Sequence, residues 1–251
     1  TLSSSNIGGI NGLVPSSTLG NPDIKPERTT ELEFGADFSV MGGLATVEAT
    51  LYQQSIEDLI LLVDEAPSSG ASNSWQNGGE METNGLEFAL GLNPTSLLDL
   101  GGLDWNMHMT YYTNESEVTK LTVDPYNYGG FATFLGTYRI EEGVSPTAIV
   151  GADYDANGNH IELGNENPDF RLSFRNSLSF GPLSLSFLID HKEGGHAINL
   201  ANLIYDLGAT TADYEENGSR TAVLGGGSTA PYVESTTCLL YTSDAADEQL
   251  S

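Results

Sequence analysis

The sequence predicts an all-β chain whose antiparallel strands form a fragment of a transmembrane β-barrel. Three observations carry this prediction: six segments alternate between apolar and polar residues, five of the six run for about 8–11 residues, and short and long connections follow one another in turn. A transmembrane strand needs about 9–11 residues, whereas the mean strand of a soluble protein has about 5–6. A soluble sandwich or lectin-like barrel explains the alternation but not the strand length.

Each of the six alternating segments is predicted to be one strand. In order they are residues 30–40, 45–52, 86–92, 103–112, 170–180 and 183–190. In the first segment, one face takes only apolar side chains: Leu32, Phe34, Ala36, Phe38 and Val40. If the apolar faces meet lipid, the opposite faces line an aqueous or plugged lumen, and the residues predicted to face it are Glu31, Glu33, Asp37, Glu48, Asp104 and His108.

The connections between these strands alternate in length. Short links follow the first, third and fifth strands, at residues 41–43, about 93–102, and 181–182. Long links follow the other three, at about 55–79, 113–168 and 192–237. Outer-membrane barrels have this arrangement, with short periplasmic turns at one end and long extracellular loops at the other.

The composition excludes several classes of protein. Acidic residues outnumber basic ones 35 to 8 in 251 residues, and the formal charge is −27. Such a chain is a poor nucleic-acid binder, because phosphate contacts need clustered Lys and Arg. No apolar run is long enough for a transmembrane helix, and no signal peptide begins at Thr1, so we expect an internal piece of a longer protein. The acidity indicates either a preference for cationic cargo or a solvated surface in a saline habitat.

The last fourteen residues are predicted to be foreign to the protein. The single cysteine, Cys238, opens a run through Glu248 that resembles the translation of a transposase sequencing adapter. A native polar tail is the alternative. We therefore assign residues 1–237 to the barrel and residues 238–251 to the adapter. The first range has no cysteine, so neither disulfides nor thiol chemistry can be argued for it.

Several motifs, in a fixed order along the chain, resemble those of TonB-dependent outer-membrane receptors, most closely the SusC/RagA type. The run Asn21–Gly35 is similar to the family's loop-to-strand segment, and Trp75–Glu87 is similar to its return strand. Gly164–Phe170 resembles the family's GNPNPDF, except that Glu166 stands where proline is usual. The ordered set covers about residues 20–235 and is more specific than any one motif.

The resemblance implies a barrel of 22 strands around an N-terminal plug, of which this chain supplies about six strands. It also implies active import of a bulky nutrient, such as a glycan or peptide, across the cell outer membrane of a Gram-negative bacterium. The implied partners are the TonB–ExbB–ExbD complex, a SusD-like surface lipoprotein and outer-membrane lipid. Two alternatives stay open: a passive porin-like barrel, and a secreted soluble β-rich adhesin or glycan-binding module.

Aromatic residues cluster in the long link 113–168 and are predicted to contact the substrate: Tyr126, Tyr128, Phe131, Phe134 and Tyr138. Exposed aromatic rings can stack on a sugar or on an apolar group. Packing of the loop against a plug or the barrel rim is the alternative explanation.

No residue pattern argues for catalysis, a metal or a cofactor. Residues Asp153, Asp155, Asn157 and Asn159 begin like a calcium loop, but the twelfth position is Gly164 and not glutamate. The same segment contains Asn-Gly, which favours a plain hairpin turn. The four histidines lack metal-ligand spacing, and no serine lies in a G-x-S-x-G turn. The chain is therefore predicted to be a transporter component, not an enzyme, with no cofactor.

Overall fold

The computed structural model describes residues 2–15, 17–132, 135–208, 210 and 228–245. Within these ranges the chain is mostly β-structure, with one short α-helix, α1 (Leu200–Leu207). The strands are β1 (Leu2–Ile7), β2 (Ile10–Pro15), β3 (Thr18–Leu19), β4 (Arg28–Val40), β5 (Ala45–Asp64), β6 (Asn73–Leu92), β7 (Leu103–Leu121), β8 (Tyr126–Ala132), β9 (Gly136–Ile140), β10 (Ala148–Val150), β11 (Gly164–Asn165), β12 (Pro168–Phe180), β13 (Leu183–Gly194), β14 (His196–Ile198), β15 (Val233–Ser235) and β16 (Cys238–Ala245). No helix in these ranges is long and apolar enough to cross a membrane.

The largest sheet contains all six predicted strands, which are therefore confirmed. Its strands lie in the order β16-β13-β12-β7-β6-β5-β4, and all these neighbours pair antiparallel. The two-residue strand β3 pairs in parallel with the far end of β6. β4 and β5 are joined by a short turn, as are β12 and β13, at the positions that the sequence predicted. In the described part of the chain the sheet does not close on itself, since β4 and β16 do not pair.

Three central strands are longer than the alternation predicted. β5 and β6 have 20 residues each and β7 has 19. Most of residues 55–79 and the first part of residues 113–168 are therefore strand and not loop. β-bulges explain the difference: the register shifts between Ile56 and Leu59, where Asp58 has a φ of 57°, and again between Glu80 and Met81. A bulge breaks the period-2 pattern although the pairing of the strands continues.

The large sheet has one apolar face that little of the protein covers. The register sets the apolar rows side by side, and one of them runs across β4, β5, β6, β7 and β12 as Phe38, Val47, Leu90, Met109 and Phe174. Phe34 is 79% exposed, Leu32 70% and Leu183 62%. A soluble monomer rarely exposes such a continuous apolar surface, so this face indicates contact with lipid or with another apolar partner.

The long connections fold into a separate layer at the end of the sheet opposite the short turns. In this loop layer, four strands form a second sheet in the order β11-β10-β9-β8, and β14 pairs with β15. The buried apolar residues lie mostly here, including Ile149, Leu203 and Tyr232. The loop layer therefore has a small core of its own, whereas the large sheet has almost none.

Helix α1 lies in this layer and was not predicted. The side chain of Asn199 caps it by accepting a hydrogen bond from the backbone N–H of Asn202, at 2.9 Å. Leu203 packs against Tyr232, whose hydroxyl donates to the buried Asp206 carboxylate at 3.1 Å. A helix of eight residues has only two turns, which is too short to show a sustained helical repeat in the sequence.

Residues 238–245 form β16, which pairs antiparallel with β13. An open sheet edge offers unpaired backbone groups to any extended segment, whatever its origin. The pairing therefore does not distinguish a native strand from an adapter translation. The assignment of residues 238–251 to an adapter stays a prediction, and residues 246–251 lie outside the described ranges.

Candidate functional site on the polar face and in the loop layer

The six residues predicted to face a lumen all lie on the polar face of the large sheet. Register pairs Asp37 with Glu48, and Glu33 with Tyr52. Glu87, which is not among the six predicted residues, lies on the same face beside Thr50. Among the described residues none of these carboxylates forms an ion pair. The face is therefore strongly acidic over β4, β5 and β6.

Three basic residues on the same face were not recognised as part of the site. Arg171 pairs across the sheet with Lys192, and Arg175 pairs with His108. Arg171 Nη2 lies 3.7 Å from Asp190 Oδ2. The alternation within β12 already set both arginines opposite the phenylalanines. Their relation to the acidic residues depends on the strand order, which sets only β7 between β12 and β6 and which the sequence alone does not give.

Two cavities open on the polar face. The larger measures about 500 Å³, and its lining includes Glu31, Glu33 and Tyr52. The smaller measures about 250 Å³ and lies beside Glu87. The ring of Tyr52 lies across Gly85, where a Cβ would overlap the ring. Glycine at this position therefore lets the tyrosine lie flat against the sheet and keeps space open above it.

Two of the predicted substrate-contacting residues, Tyr126 and Tyr128, line one apolar cavity in the loop layer. It measures about 210 Å³ and lies between the second sheet and the far ends of β5, β6 and β7, with Leu61, Met81 and Val118 among its walls. The Tyr128 hydroxyl donates to the carbonyl of Pro146 at 3.1 Å. An apolar cavity of about 150 Å³ can hold benzene, so this one has room for an aromatic or branched aliphatic group.

The other predicted aromatic contacts are distributed differently. The Tyr138 ring packs on Tyr128 with centroids 5.6 Å apart. Phe131 is 50% exposed at the end of β8, and Phe134 lies outside the described residues. The structure thus brings Tyr126, Tyr128 and Tyr138 together and leaves Phe131 on the surface. Substrate contact by this group stays a prediction.

Glu166 has a specific partner in the loop layer. A hydrogen bond to its carboxylate, together with burial, raises the pKa of the Tyr138 hydroxyl to about 12. Glu166 is the residue that departs from the GNPNPDF motif, where proline is usual. A proline cannot accept this hydrogen bond. Glu166 therefore provides a link between β9 and the segment that leads into β12 that the usual motif lacks.

Replacing Glu166 by glutamine is expected to lower the pKa of Tyr138 towards its ordinary value of 10. A raised pKa means that the folded state favours the neutral phenol. The stabilisation is therefore complete below about pH 10 and is lost as the pH rises through about 12. The measurement is an alkaline titration of phenolate absorbance, with the Tyr138→Phe protein subtracted to isolate this one residue. Identical titrations of the parent and the Glu166→Gln protein contradict the assignment.

The calcium-like segment folds as a hairpin turn. The Asp155 carboxylate accepts hydrogen bonds from the backbone N–H groups of Asn159, at 2.9 Å, and Asn157, at 2.8 Å, and these bonds lower its pKa. The Asp153 carboxylate instead accepts from the backbone N–H of Thr229, at 2.8 Å. Nowhere in the described ranges do three His, Cys, Asp or Glu side chains converge in a metal-binding arrangement. That this turn binds no calcium stays a prediction.

Two of the motifs that carried the resemblance meet in space. The Asn77 side chain accepts from the backbone N–H of Lys25 at 2.7 Å, and donates to the carbonyls of Lys25 at 2.9 Å and Asp58 at 2.7 Å. The Glu27 carboxylate accepts from the backbone N–H of Ile60 at 2.8 Å. These bonds fasten the segment before β4 onto β5 and β6. Their geometry gives a physical reason for the two motifs to occur together.

A sheet of long strands with one exposed apolar face corresponds to a known family. The family model described as "TonB dependent receptor-like, beta-barrel" matches residues 1–233. The chain belongs to this family. TonB-dependent receptor P39 of Formosa agariphila is 31% identical over 54% of this chain and 12% of its own length. TonB-dependent receptor SusC of Bacteroides thetaiotaomicron is 27% identical over 57% of this chain and 15% of its own length. The resemblance that the motifs indicated is thereby confirmed.

A solved transporter structure shares the fold. The RagAB peptide transporter superposes with a TM-score of 0.65 at 19% identity, over 82% of this chain and 25% of that chain. At this identity the likeness concerns the fold alone, and it confirms the predicted antiparallel barrel sheet. The chain spans about a quarter or less of the length of the curated receptors it matches. It is therefore an unclosed arc of a larger barrel.

Proposed function

We propose that this chain forms part of the wall of an outer-membrane importer that takes up a bulky nutrient with energy supplied through TonB. The match of residues 1–233 to the receptor barrel family carries this proposal. The exposed apolar face of the large sheet meets lipid, and the polar face, with Glu31, Glu33, Asp37, Glu48, Asp104 and His108, lines the lumen. The chain has a role in passage across the membrane and none in catalysis.

The proposed partners lie on the two sides of the outer membrane. The TonB–ExbB–ExbD complex supplies energy from the inner membrane, and a SusD-like lipoprotein covers the loop layer on the extracellular side. The RagAB structures, which share this fold, are described as those of a peptide transporter. For the present chain, the cargo is a peptide or a glycan.

The proposed cargo contact is the aromatic group of the loop layer. Tyr126 and Tyr128 line an apolar cavity of about 210 Å³, and Tyr138 supports Tyr128 from the side. Such a cavity accepts an apolar group of the cargo, while the exposed ring of Phe131 is available for stacking. The Tyr126→Ala/Tyr128→Ala protein is therefore expected to take up its cargo several-fold more slowly at low concentration, with unchanged insertion into the membrane.

The test expresses the intact receptor gene in the outer membrane of a Gram-negative host, with and without functional TonB. Uptake is followed for two probes, fluorescently labelled casein peptides and labelled starch oligosaccharides. The expected result is saturable uptake of one probe, which disappears in the host without TonB. The Tyr154→Ala protein is a matched control for the tyrosine variants, because Tyr154 is an exposed tyrosine of the loop layer outside the cavity.

The same experiment separates the rival functions. Equal uptake with and without TonB supports a passive porin-like barrel. A receptor that fractionates with soluble protein, and whose gel migration does not change on heating, supports a secreted adhesin or glycan-binding module. Either result overturns the proposed importer.

A further inference from the structure

Charges on the polar face are segregated by strand. Between the short turns and the bulge at Asp58, this face of β4, β5 and β6 carries carboxylates and no basic residue: Glu31, Glu33, Asp37, Glu48 and Glu87. Past the bulge between Pro168 and Phe170, this face of β12 and β13 carries mainly basic residues, with one carboxylate: Arg171, Arg175, Lys192 and Asp190. The chain has only 8 basic residues in all, so three of them on one small region is a strong concentration. The wall is therefore negative on one side and positive on the other.

These charges are largely not neutralised within the wall. Arg171 with Asp190 is the one ion pair found on this face within the described residues. Arg175 is exposed and forms no ion pair there, and Lys192 Nζ donates to the hydroxyl of Thr236 instead of a carboxylate. Only β7 lies between β6 and β12, so the nearest charges of the two regions, Glu87 and Arg171, stand on either side of Tyr112, about 10 Å apart at about 4.8 Å per strand. They form no ion pair within the described residues, and the other carboxylates of the acidic region lie farther from β12.

We infer that the domain filling this lumen presents a basic surface to β4, β5 and β6 and an acidic surface to β12 and β13. The inference rests on the proposed function, which supplies the closed barrel, and transporter barrels of about 22 strands hold a plugged lumen. A folded domain in the lumen removes water from the wall, and a desolvated charge without a partner is costly. Complementary charges on that domain remove the cost.

The two regions also orient the occupant. A domain with one basic and one acidic side fits this wall in a single rotational setting, because the opposite setting places like charges together. A uniformly acidic wall holds a basic domain equally well in several settings. The acidic strands therefore attract the domain, and the basic strands β12 and β13 fix its orientation in the lumen.

The test measures how firmly the lumen domain is seated in the intact receptor. The receptor is reconstituted in planar lipid bilayers, and conductance is recorded as urea is raised, because displacement of the domain opens the pore. The variant Glu48→Arg/Glu87→Arg reverses two charges of the acidic region. The matched control is Glu82→Arg/Glu117→Arg, a cross-strand pair of carboxylates on the opposite face of the same sheet, which changes the net charge equally.

At a urea concentration where the parent remains mostly closed, the Glu48→Arg/Glu87→Arg receptor is expected to show about tenfold more open channels, and the control is expected to match the parent. Arg175→Glu/Lys192→Glu is expected to act in the same direction, because it opposes an acidic surface. If the first variant does not insert, the milder Glu48→Gln/Glu87→Gln receptor is measured in its place, with a smaller expected increase.

If the lumen-face variants and the control open equally, the inference is overturned. The charges then face a mobile cargo or bulk water and not a folded domain. A parent receptor that conducts without urea gives a different result, since it contradicts the plugged importer itself. The two failures are therefore distinguishable in one data set.

Discussion

Gly130→Ala is expected to open the second sheet of the loop layer while the large sheet stays folded. Gly130 has a φ of 65°, and a Cβ there would overlap the carbonyl oxygen of Gly136 and the Cα of Thr137. Both are backbone atoms of the neighbouring strand region and cannot move aside without breaking the pairing of β8 with β9. Overpacking costs roughly 1–3 kcal/mol, and the left-handed conformation costs an alanine about 1–2 kcal/mol more. Together these two costs shift the equilibrium between the paired and the opened second sheet towards the opened form by more than about tenfold.

The measurement is amide hydrogen exchange within β8 and β9 of the intact receptor in detergent. Gly129→Ala is the matched control, because Gly129 has a φ of 60° but its Cβ would meet side-chain atoms alone, Cδ2 of the Tyr138 ring at 3.3 Å and Cε2 at 3.7 Å. The control carries the same backbone strain without the backbone overlap, so it is expected to lose much less protection. Equal loss in the two proteins contradicts the account of Gly130.

Trp105→Phe is expected to destabilise the barrel by about 1–3 kcal/mol, and adding Asn176→Leu is expected to restore it. Asn176 is only 4% exposed, on the apolar face of the sheet. Its Oδ1 accepts from Trp105 Nε1 at 2.9 Å, and its Nδ2 has no partner among the described residues. Within hydrocarbon an unpaired polar group costs several kcal/mol. Trp105→Phe leaves the side-chain oxygen of Asn176 without a hydrogen-bond partner as well. The double replacement removes every polar side-chain atom of the pair.

The comparison is made by urea unfolding of the reconstituted receptor, read from the heat-dependent shift in gel migration. The expected order of midpoints sets the double variant at or above the parent, Asn176→Leu near the parent, and Trp105→Phe lowest. Asn176→Leu alone exchanges one orphaned group for another, the indole N–H, which explains its position. A double variant that is no more stable than Trp105→Phe shows that the hydrogen bond is not what this pair contributes.

The long strands could be predicted from the sequence because one rule governs them. Each has one apolar face and one polar face, so the period of two is preserved from β4 to β13. The pattern fails where the two faces no longer differ. Beyond the bulge at Asp58 both faces of β5 take apolar residues, from Leu59 to Val63, and the alternation no longer marks a strand that the pairing continues. Asn176 breaks the apolar row for a local reason, its bond to Trp105.

The candidate site was only partly predictable, because its residues come together through cross-strand register. The acidic residues of β4 and β5 are neighbours in the sequence as well as in the sheet, so the sequence indicated them. Arg175 lies far along the chain from those strands and joins their face only because β12 pairs with β7. The cavity beside Tyr126 similarly requires the bulged ends of β5 and β6, which the alternation had assigned to loops.

The central claim is that the apolar face of the large sheet meets lipid, and the chain's two tryptophans test it directly. Trp105 lies on that face, near the short turns. Trp75 lies about 60 Å away along β6, which a strand tilt of about 45° reduces to about 40 Å along the membrane normal, well beyond an apolar band of about 25 Å. In a reconstituted receptor that keeps Trp105 and has every other tryptophan replaced by phenylalanine, lipids with brominated acyl chains are expected to quench the fluorescence strongly. In the matching receptor that keeps only Trp75, aqueous iodide and not brominated lipid is expected to quench it. Trp105 fluorescence that responds to iodide and ignores brominated lipid contradicts the claim.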